Sequence, residues 1–177
     1  MSGSVGDNTA RASGVIAAAG GGGKVLQVVT SNQLSTQSIS GSAGSWVDLT
    51  SLTASITPAT TSSRILILAQ LGMTGGDGSS GAVRIMRDST AIALANTAGS
   101  RPRGTIHIVS IGSSHSPGAS ITYLDSPSLD VAITYKLQMN WQNGSTGYIN
   151  RSGGNGDGTS GYQARGMSSF TLIEIGA

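Results

Sequence analysis

One segment decides the fold, and in it apolar and polar residues alternate without a break: Ile133-Thr134-Tyr135-Lys136-Leu137-Gln138-Met139-Asn140-Trp141. Successive side chains of a β-strand point to opposite faces of the sheet. The five apolar residues therefore share one face, which we expect to be buried, and the four polar residues share the other. A helix would scatter the same residues around its circumference, so the period of two predicts a strand.

On either side of this segment, strand signals recur roughly every ten to fifteen residues, separated by glycine-rich turns. They lie at 24–30, 46–56, 64–72, 82–87, 91–95, 105–111, 120–124 and 170–175. The pair Asp88-Ser89 indicates a turn between two of them. No window carries a convincing helical period. The sequence therefore predicts an all-β, jelly-roll-like antiparallel β-sandwich of about eight to ten strands in two sheets.

Two glycine-rich stretches resemble each other and are predicted to be loops at one end of the sandwich. They begin at Gly75-Gly76 and at Gly153-Gly154. The run Ile65-Leu66-Ile67-Leu68 does not alternate, and a run of this kind is typical of a strand that is buried on both faces or nearly so.

Small polar residues dominate the composition, with 27 Gly, 29 Ser and 17 Thr among 177 residues, while 10% of the chain is charged. Disordered chains usually combine few apolar residues with high charge. This chain has a net charge of +2 and ordered alternation, so we assign the small polar residues to strand faces and turns. So small a net charge gives no electrostatic reason to bind nucleic acid or a membrane surface.

The chain contains no cysteine, which excludes disulfides, thiol catalysis and cysteine-ligated metal. This composition is compatible with assembly in a reducing cytoplasm. The longest strictly apolar run, Ile65 to Ala69, is far too short to span a membrane.

The first 23 residues differ from the rest because they show no strand alternation and end in four consecutive glycines, a sequence typical of a flexible joint. We assign residues 1–23 to an extended Gly-rich anchoring arm and residues 24–177 to the β-sandwich domain. Four side chains of the arm are the best suited to bind a partner: Val5, Arg11, Val15 and Ile16.

No combination of residues predicts a catalytic, cofactor or metal site, and we expect a protein that is not an enzyme. His107 lies in an alternating segment and His115 in a Ser/Gly loop, and their spacing does not favour convergence with a carboxylate. No Gly-x-Ser-x-Gly elbow occurs. The stretch Gly156 to Gly161 matches Gly-x-Gly-x-x-Gly, but a glycine-rich loop precedes it and a strand signal follows, which is the wrong context for a phosphate site.

Three loop residues carry oxygen atoms that could bind calcium, namely Asp77, Asn155 and Asp157. Their spacing does not match a calcium-binding loop. The preference of Asp and Asn for turns explains them better, so no bound ion is predicted.

Six arginines hold most of the positive charge: Arg84, Arg87, Arg101, Arg103, Arg151 and Arg165. Nucleic-acid-binding surfaces usually combine such charge with aromatic side chains. Here aromatics make up 4% of the chain, and we assign Trp141 and Phe170 to the core. We therefore interpret the arginines as a solvated face or as partners in inter-subunit salt bridges.

Seven short segments occur in a fixed order along the chain: Gly23-Lys24-Val25-Leu26-Gln27-Val28, Ser45-Trp46-Val47-Asp48-Leu49, Ile56-Thr57-Pro58, Arg87-Asp88-Ser89-Thr90-Ala91-Ile92, Leu124-Asp125-Ser126-Pro127, Thr134-Tyr135-Lys136-Leu137-Gln138 and Asn150-Arg151-Ser152. In this order, the chain resembles a group of virion proteins of tailed phages, common in marine and cyanobacterial phages and often labelled tail-fibre or structural proteins. The resemblance covers residues 23 to 175. It implies a β-sandwich displayed on the particle, commonly as a homotrimer, and no catalytic residues.

The resemblance leaves two virion roles. A trimeric head decoration (cement) protein would stabilise the capsid surface, with the arm bound to the major capsid protein. A tail-fibre or tail-tip module would instead recognise host surface glycans. The small size, the arm and the absence of a fibre shaft favour decoration. A bacterial lectin or adhesin module is the third alternative. In both virion roles the protein is expected in the virion, after assembly in the host cytoplasm and without a cofactor.

Overall fold

A computed structural model describes residues 23–42, 45–76, 78–114, 116–142 and 144–176. Twelve strands and one short 3₁₀ turn, Gly161–Gln163, form within these residues. In chain order the strands are β1 Val25–Gln33, β2 Gln37–Ser40, β3 Val47–Ile56, β4 Arg64–Leu71, β5 Thr74–Gly76, β6 Ser80–Arg87, β7 Thr90–Ile92, β8 Ile106–Val109, β9 Ala119–Asp125, β10 Ile133–Trp141, β11 Thr146–Ile149 and β12 Ser168–Ile175.

Two antiparallel sheets carry the fold. The four-stranded sheet has the order β1-β12-β4-β9, and the five-stranded sheet has the order β3-β10-β6-β7 with β8 also paired to β6. Apart from β7, the main sheets contain eight strands: β1, β3, β4, β6, β8, β9, β10 and β12. Numbered from one to eight along the chain, they have the orders 1-8-3-6 in one sheet and 2-7-4-5 in the other. This is the strand order of a jelly roll, in which two Greek keys wrap around one core. The predicted fold class is confirmed.

The deciding segment is strand β10, between β3 and β6. Its five apolar side chains are at most 1% exposed, as the alternation predicted. The predicted strands at both ends of the chain, β1 and β12, pair with each other. The two termini of the jelly roll therefore lie side by side in one sheet.

A third sheet of three short strands, β2-β11-β5, was not predicted. The described chain thus has twelve strands in three sheets, and the expectation of eight to ten strands in two sheets was wrong on both counts. Gly75-Gly76 belongs to β5 and not to a loop. The expectation of one shared end was sound, since an added Cβ at Gly75 would lie 2.6 Å from the carbonyl oxygen of Arg151 and 3.0 Å from the nitrogen of Gly153.

A buried polar cluster joins the two main sheets. Asp125, at the end of β9, accepts hydrogen bonds from Nη1 of Arg87 at 3.0 Å and from the hydroxyl of Tyr135 at 2.7 Å. Arg87 and Tyr135 belong to the five-stranded sheet and Asp125 to the other. Next to this cluster the predicted turn is confirmed: Asp88 has φ 51°, and its amide and carboxylate bond to the backbone of Thr134.

Candidate assembly surface

The outer face of the four-stranded sheet is unusually apolar at one end. The register places Val28 of β1 opposite Ile173 of β12, Ile173 opposite Leu66 of β4, and Leu66 opposite Leu124 of β9. By the alternation of each strand, all four side chains point away from the core. We call this row, which crosses the whole sheet, the apolar band. Val28 is 56% exposed and Leu124 is 40% exposed.

Beside the apolar band, the face becomes polar but stays uncharged. Two further rows cross the sheet: Thr30, Thr171, Leu68 and Thr122, then Asn32, Ser169, Gln70 and Ser120. A shallow hollow of about 320 Å³ lies over this part of the face. The three rows contain no ionisable side chain. Neutral polar groups lose less on leaving water than charged groups do, so this face can be covered by another protein at low cost.

The sequence predicts that β4 is buried on both faces or nearly so, and the structure gives it one buried and one half-buried face. Ile65 and Ile67 are fully buried, and Leu66 and Leu68 are half-buried and point outward. The apolar run correctly indicated that β4 has two apolar faces, but within this chain only the inner face is covered.

The outer face of the five-stranded sheet has the opposite character. Gln138 links the strands there: its Oε1 accepts two hydrogen bonds from Arg84, and its Nε2 donates to Asp48 at 2.7 Å. Lys136 pairs with Asp48 at 2.8 Å, and this hydrogen bond is the largest cause that lowers the pKa of the Asp48 carboxyl. The guanidinium of Arg84 also lies 4.2 Å above the ring of Trp46, a cation–π contact.

The arginines were interpreted as a solvated face or as inter-subunit partners, and for several of them this is wrong. Arg87 forms an ion pair within the chain, and Arg84 binds Gln138 and Trp46. Arg151 stacks on Tyr148 with its guanidinium 3.5 Å from the ring centre. A single sequence could not reveal the partners of Arg84 and Arg87, because they are distant in the chain, whereas Tyr148 is only three residues from Arg151.

The residues examined for chemistry stay apart. His107 is exposed on β8, and Asn155 and Asp157 are exposed between β11 and β12. His115 and Asp77 fall outside the described residues. Across the described ranges, no three His, Cys, Asp or Glu side chains lie close enough to hold a metal ion. Nor does the described part of the chain contain a helix that is long and apolar enough to cross a membrane.

The four residues predicted to bind a partner through the arm lie outside the described residues: Val5, Arg11, Val15 and Ile16. Their role stays a prediction. The apolar band was not predicted, and it is the contact surface that the described residues offer.

Comparison with known proteins places the chain near no described family. No family model matches it, and no curated protein is similar in sequence. Among solved structures, it is similar to the VP2 subviral particle of infectious bursal disease virus, with a TM-score of 0.41 and 12% identity over 85% of this chain and 38% of that one. A mutant VP2 of the same virus, in derived T=1 particles, gives a TM-score of 0.38 and 11% identity over 84% and 37%. The chain thus spans less than two fifths of either protein, and so distant a likeness transfers no function to it.

Proposed function

We propose that this protein is a structural component of a phage virion, and that its role is that of a trimeric head decoration (cement) protein. The observation that carries the proposal is the exposed apolar band on the outer face of the four-stranded sheet, together with the two uncharged rows on one side of it. On the other side of the band, Arg64 of β4 is exposed opposite Ile175. The ordered sequence segments that resemble phage virion proteins support the same role. The jelly roll is compatible with it, although that fold also serves lectins and enzymes.

The chemistry of this face favours a second copy of the same chain as its partner. A surface with rows of Val, Ile and Leu beside rows of Thr, Ser and Gln offers no charge pattern for a different, charged partner to match. In a trimer around a threefold axis, the β1 half of the apolar band from one subunit meets the β9 half of the next. Val28 and Leu124 stand at these two ends and become buried against each other.

The size of the face indicates that a further contact completes the assembly. Four strands about 4.8 Å apart and eight residues long cover roughly 500 Å². A standard interface buries about 800 Å² on each partner. The arm predicted for residues 1–23 supplies the additional contact in this proposal, through the major capsid protein.

Light scattering of the purified protein tests the trimer. The wild type is expected at three times the chain mass of 17.7 kDa. The double variant Val28→Lys, Leu124→Lys places charge at both ends of the apolar band and is expected to be a folded monomer. Thr61→Lys adds one such charge in an exposed loop and serves as the control. A wild-type monomer, or a trimer that survives the double substitution, would contradict the assignment of this face.

Copy number distinguishes the decoration role from the alternative, a tail-fibre or tail-tip module that recognises host surface glycans. A decoration protein covers the head and is present in hundreds of copies per particle, whereas a tail module is present in a few or a few tens. Quantitative mass spectrometry of purified particles measures this number directly. A count in the low tens would refute decoration and favour the tail role.

The proposal includes no catalytic step. Its support is that His107 is exposed on β8, and that the Arg87–Asp125–Tyr135 cluster consists of hydrogen bonds that join the two sheets. Turnover of a glycan, ester or peptide that disappears in His107→Ala would contradict this part of the proposal.

A further inference from the structure

We infer that a polar cleft on the outer face of the five-stranded sheet is a binding site for a neutral saccharide. The cleft encloses about 450 Å³ and lies where β6, β8 and β10 meet the loop around Ser100. This volume is within the range of roughly 300 to 1,000 Å³ that is usual for small-ligand sites. The site is on the opposite sheet from the proposed assembly surface, so the inference does not rest on the proposed function.

The lining of the cleft matches a ligand with many hydroxyl groups. Asn140 and Gln142 carry amides, which both donate and accept hydrogen bonds, and Ser80, Ser100 and His107 add further groups of both kinds. A sugar hydroxyl likewise needs a donor and an acceptor. Ser42, Gly81, Ala82, Pro102 and Trp141 complete the lining. The indole of Trp141 is 1% exposed and packs into the core, so Gly81, Ala82 and Pro102 provide the apolar surface for the C–H groups of a sugar ring.

Charge in and around the cleft argues for a neutral sugar. None of the lining residues is Asp, Glu, Lys or Arg. Three arginines lie near the cleft or Trp46, and each is bound within the chain: Arg101 donates to the carbonyl of Ala98, Arg103 to the carbonyl of Ala95, and Arg84, over Trp46, to Oε1 of Gln138. The cleft thus lacks the aligned cationic groups that an anionic sugar requires.

The cleft is built by the fold. Asn140 is only 9% exposed, and its amide nitrogen donates to the carbonyl oxygen of Ser45, which fixes the direction of the side chain. An added Cβ at Gly81 would lie 2.4 Å from the carbonyl oxygen of Asn140, so glycine is required where β6 forms the floor. A site held in this way loses little conformational entropy when it binds a ligand.

An aromatic platform extends the site. The half-exposed ring of Trp46 follows Ser45 directly in the chain, so it lies next to Asn140 on the same face. Arg84 stacks over this ring and holds it in place. A saccharide of two or more residues can therefore occupy the cleft with one ring and contact Trp46 with the next.

Tryptophan fluorescence provides the test, because Trp46, one of the two tryptophans of the chain, lies beside the cleft with its ring half-exposed. The probes are neutral gluco-, galacto-, manno- and N-acetylglucosamine oligosaccharides of two to four sugars. We expect a saturable change in emission with at least one series. Because the ligand is uncharged, raising the salt to about 0.5 M should leave its affinity unchanged.

Single substitutions locate the binding site. Gln142→Ala and His107→Ala each truncate a side chain of the cleft, and each is expected to weaken binding about fivefold or more. Thr61→Ala, which truncates an exposed side chain in the loop between β3 and β4, outside both the cleft and the proposed assembly surface, serves as the control and should bind as the wild type does. The inference is overturned if no neutral series gives a saturable signal, if both cleft variants bind normally, or if binding is lost in high salt. Light scattering of the same sample separates the two proposals. If the protein is a trimer but binds no saccharide, the failure concerns the cleft and not the assembly surface.

Discussion

Glu174 is a buried carboxylate whose charge is held by hydrogen bonds alone. Oε2 accepts from Nε2 of Gln27 at 2.6 Å, and Oε1 accepts from the amide of Ala59 at 2.7 Å. Burial by itself raises the pKa of this carboxyl, but the hydrogen bonds from Gln27, Ser63 and Ala59 together outweigh it. The net effect is a pKa below the ordinary value of 4.5. These bonds tie β1 and the β3–β4 connection to β12.

The lowered pKa of Glu174 predicts a loss of stability in acid. A carboxyl whose pKa is lower in the folded state contributes stability above its unfolded pKa, and this contribution is lost as the pH falls through the folded pKa. The free energy of unfolding should therefore be maximal above pH 4.5 and decrease below it. Glu174→Gln should cost about 1 to 3 kcal/mol at pH 7, because its NH₂ group faces a donor, and should reduce the acid-induced loss.

Urea unfolding at neutral and acid pH measures both effects. The matched control is Asp48→Asn, whose carboxyl pKa is also lowered but whose side chain is 50% exposed. Ion pairs exposed to this extent contribute about 0 to 1 kcal/mol. Asp48→Asn should therefore change the loss of stability in acid less than Glu174→Gln does. Equal acid sensitivity of Glu174→Gln and the wild type would show that this carboxylate does not control the transition.

Tyr135 provides the second prediction at the scale of a residue. Its buried hydroxyl donates to Asp125, and burial first, then the carboxylate, raises the pKa of the phenol, so it stays protonated as a donor. Tyr135→Phe should lower the free energy of unfolding by about 1.5 to 3 kcal/mol, the range for hydrogen bonds to charged groups. Tyr123→Phe, in a partly buried position on β9, should change it by less than about 0.5 kcal/mol. Equal urea midpoints for the two variants would contradict the role of the cluster in joining the sheets.

At the scale of elements, the third sheet exists because Trp141 must be covered. An added Cβ would lie 2.3 Å from the indole ring at Gly76, 2.4 Å at Gly81 and 2.5 Å at Gly147. These glycines belong to β5, β6 and β11. Bare backbone therefore packs directly on the ring, and two short strands of the third sheet close the end of the core that β10 reaches with its last residue.

Gly147→Ala is expected to destabilise the protein by about 1 to 3 kcal/mol, the usual cost of adding volume to a well-packed core. Gly154→Ala is the matched control, since the nearest atom to its new methyl group would be 3.6 Å away. The control should stay within about 0.5 kcal/mol of the wild type. Thermal and urea unfolding measure both. A neutral Gly147→Ala would mean that the ring can move aside.

The same elements explain which parts of the fold were predictable from the sequence. Six strands can be predicted from the local sequence, because their apolar residues recur with a period of two or form short runs: β3, β4, β6, β9, β10 and β12. The strands β2, β5 and β11 are short and rich in Gly, Ser and Thr, so their sequence resembles turns. We attribute their strand conformation to Trp141, which is distant in the sequence. A local sequence pattern cannot reveal an effect of that kind.

The surfaces were less predictable than the strands for a related reason. The alternation tells which residues share a face, but the apolar band depends on the register of four strands that are far apart in sequence. The polar cleft depends on loops and strands that meet only in three dimensions. Sequence reasoning therefore found the core, such as Trp141 and Phe170, and missed both candidate binding surfaces.

At the scale of the whole molecule, the described chain begins beside the apolar band. An added Cβ at Gly23, the first described residue, would lie 2.0 Å from Cγ2 of Ile175, so the chain enters the jelly roll beside the end of β12. Val25 and Leu26, which follow at the start of β1, are 59% and 44% exposed next to the band. The described chain thus begins at the apolar end of the proposed assembly surface.

This position predicts separate roles for the arm and the sandwich. The jelly roll has its own core, so deletion of residues 1–20 should leave the circular dichroism spectrum and the melting temperature nearly unchanged. Burial of an aliphatic side chain contributes about 1.5 to 3 kcal/mol, and Val5, Val15 and Ile16 provide three. Ordering the backbone costs roughly 1 to 2 kcal/mol per residue, so the arm must also gain backbone hydrogen bonds, as it would by adding a strand to a sheet edge of its partner.

The deletion should therefore abolish binding to particles that lack the protein, measured by co-sedimentation. The triple variant Val5→Ser, Val15→Ser, Ile16→Ser keeps the length of the arm and its backbone, so it should weaken binding without abolishing it if hydrogen bonds contribute. Three arms in one trimer act together, because the first attachment raises the effective concentration of the other two. The monomeric double variant Val28→Lys, Leu124→Lys, with an intact arm, should accordingly bind these particles more weakly than the trimer does. If the truncated protein binds particles as tightly as the full chain, the arm is not the anchor, and attachment must occur through the sandwich itself.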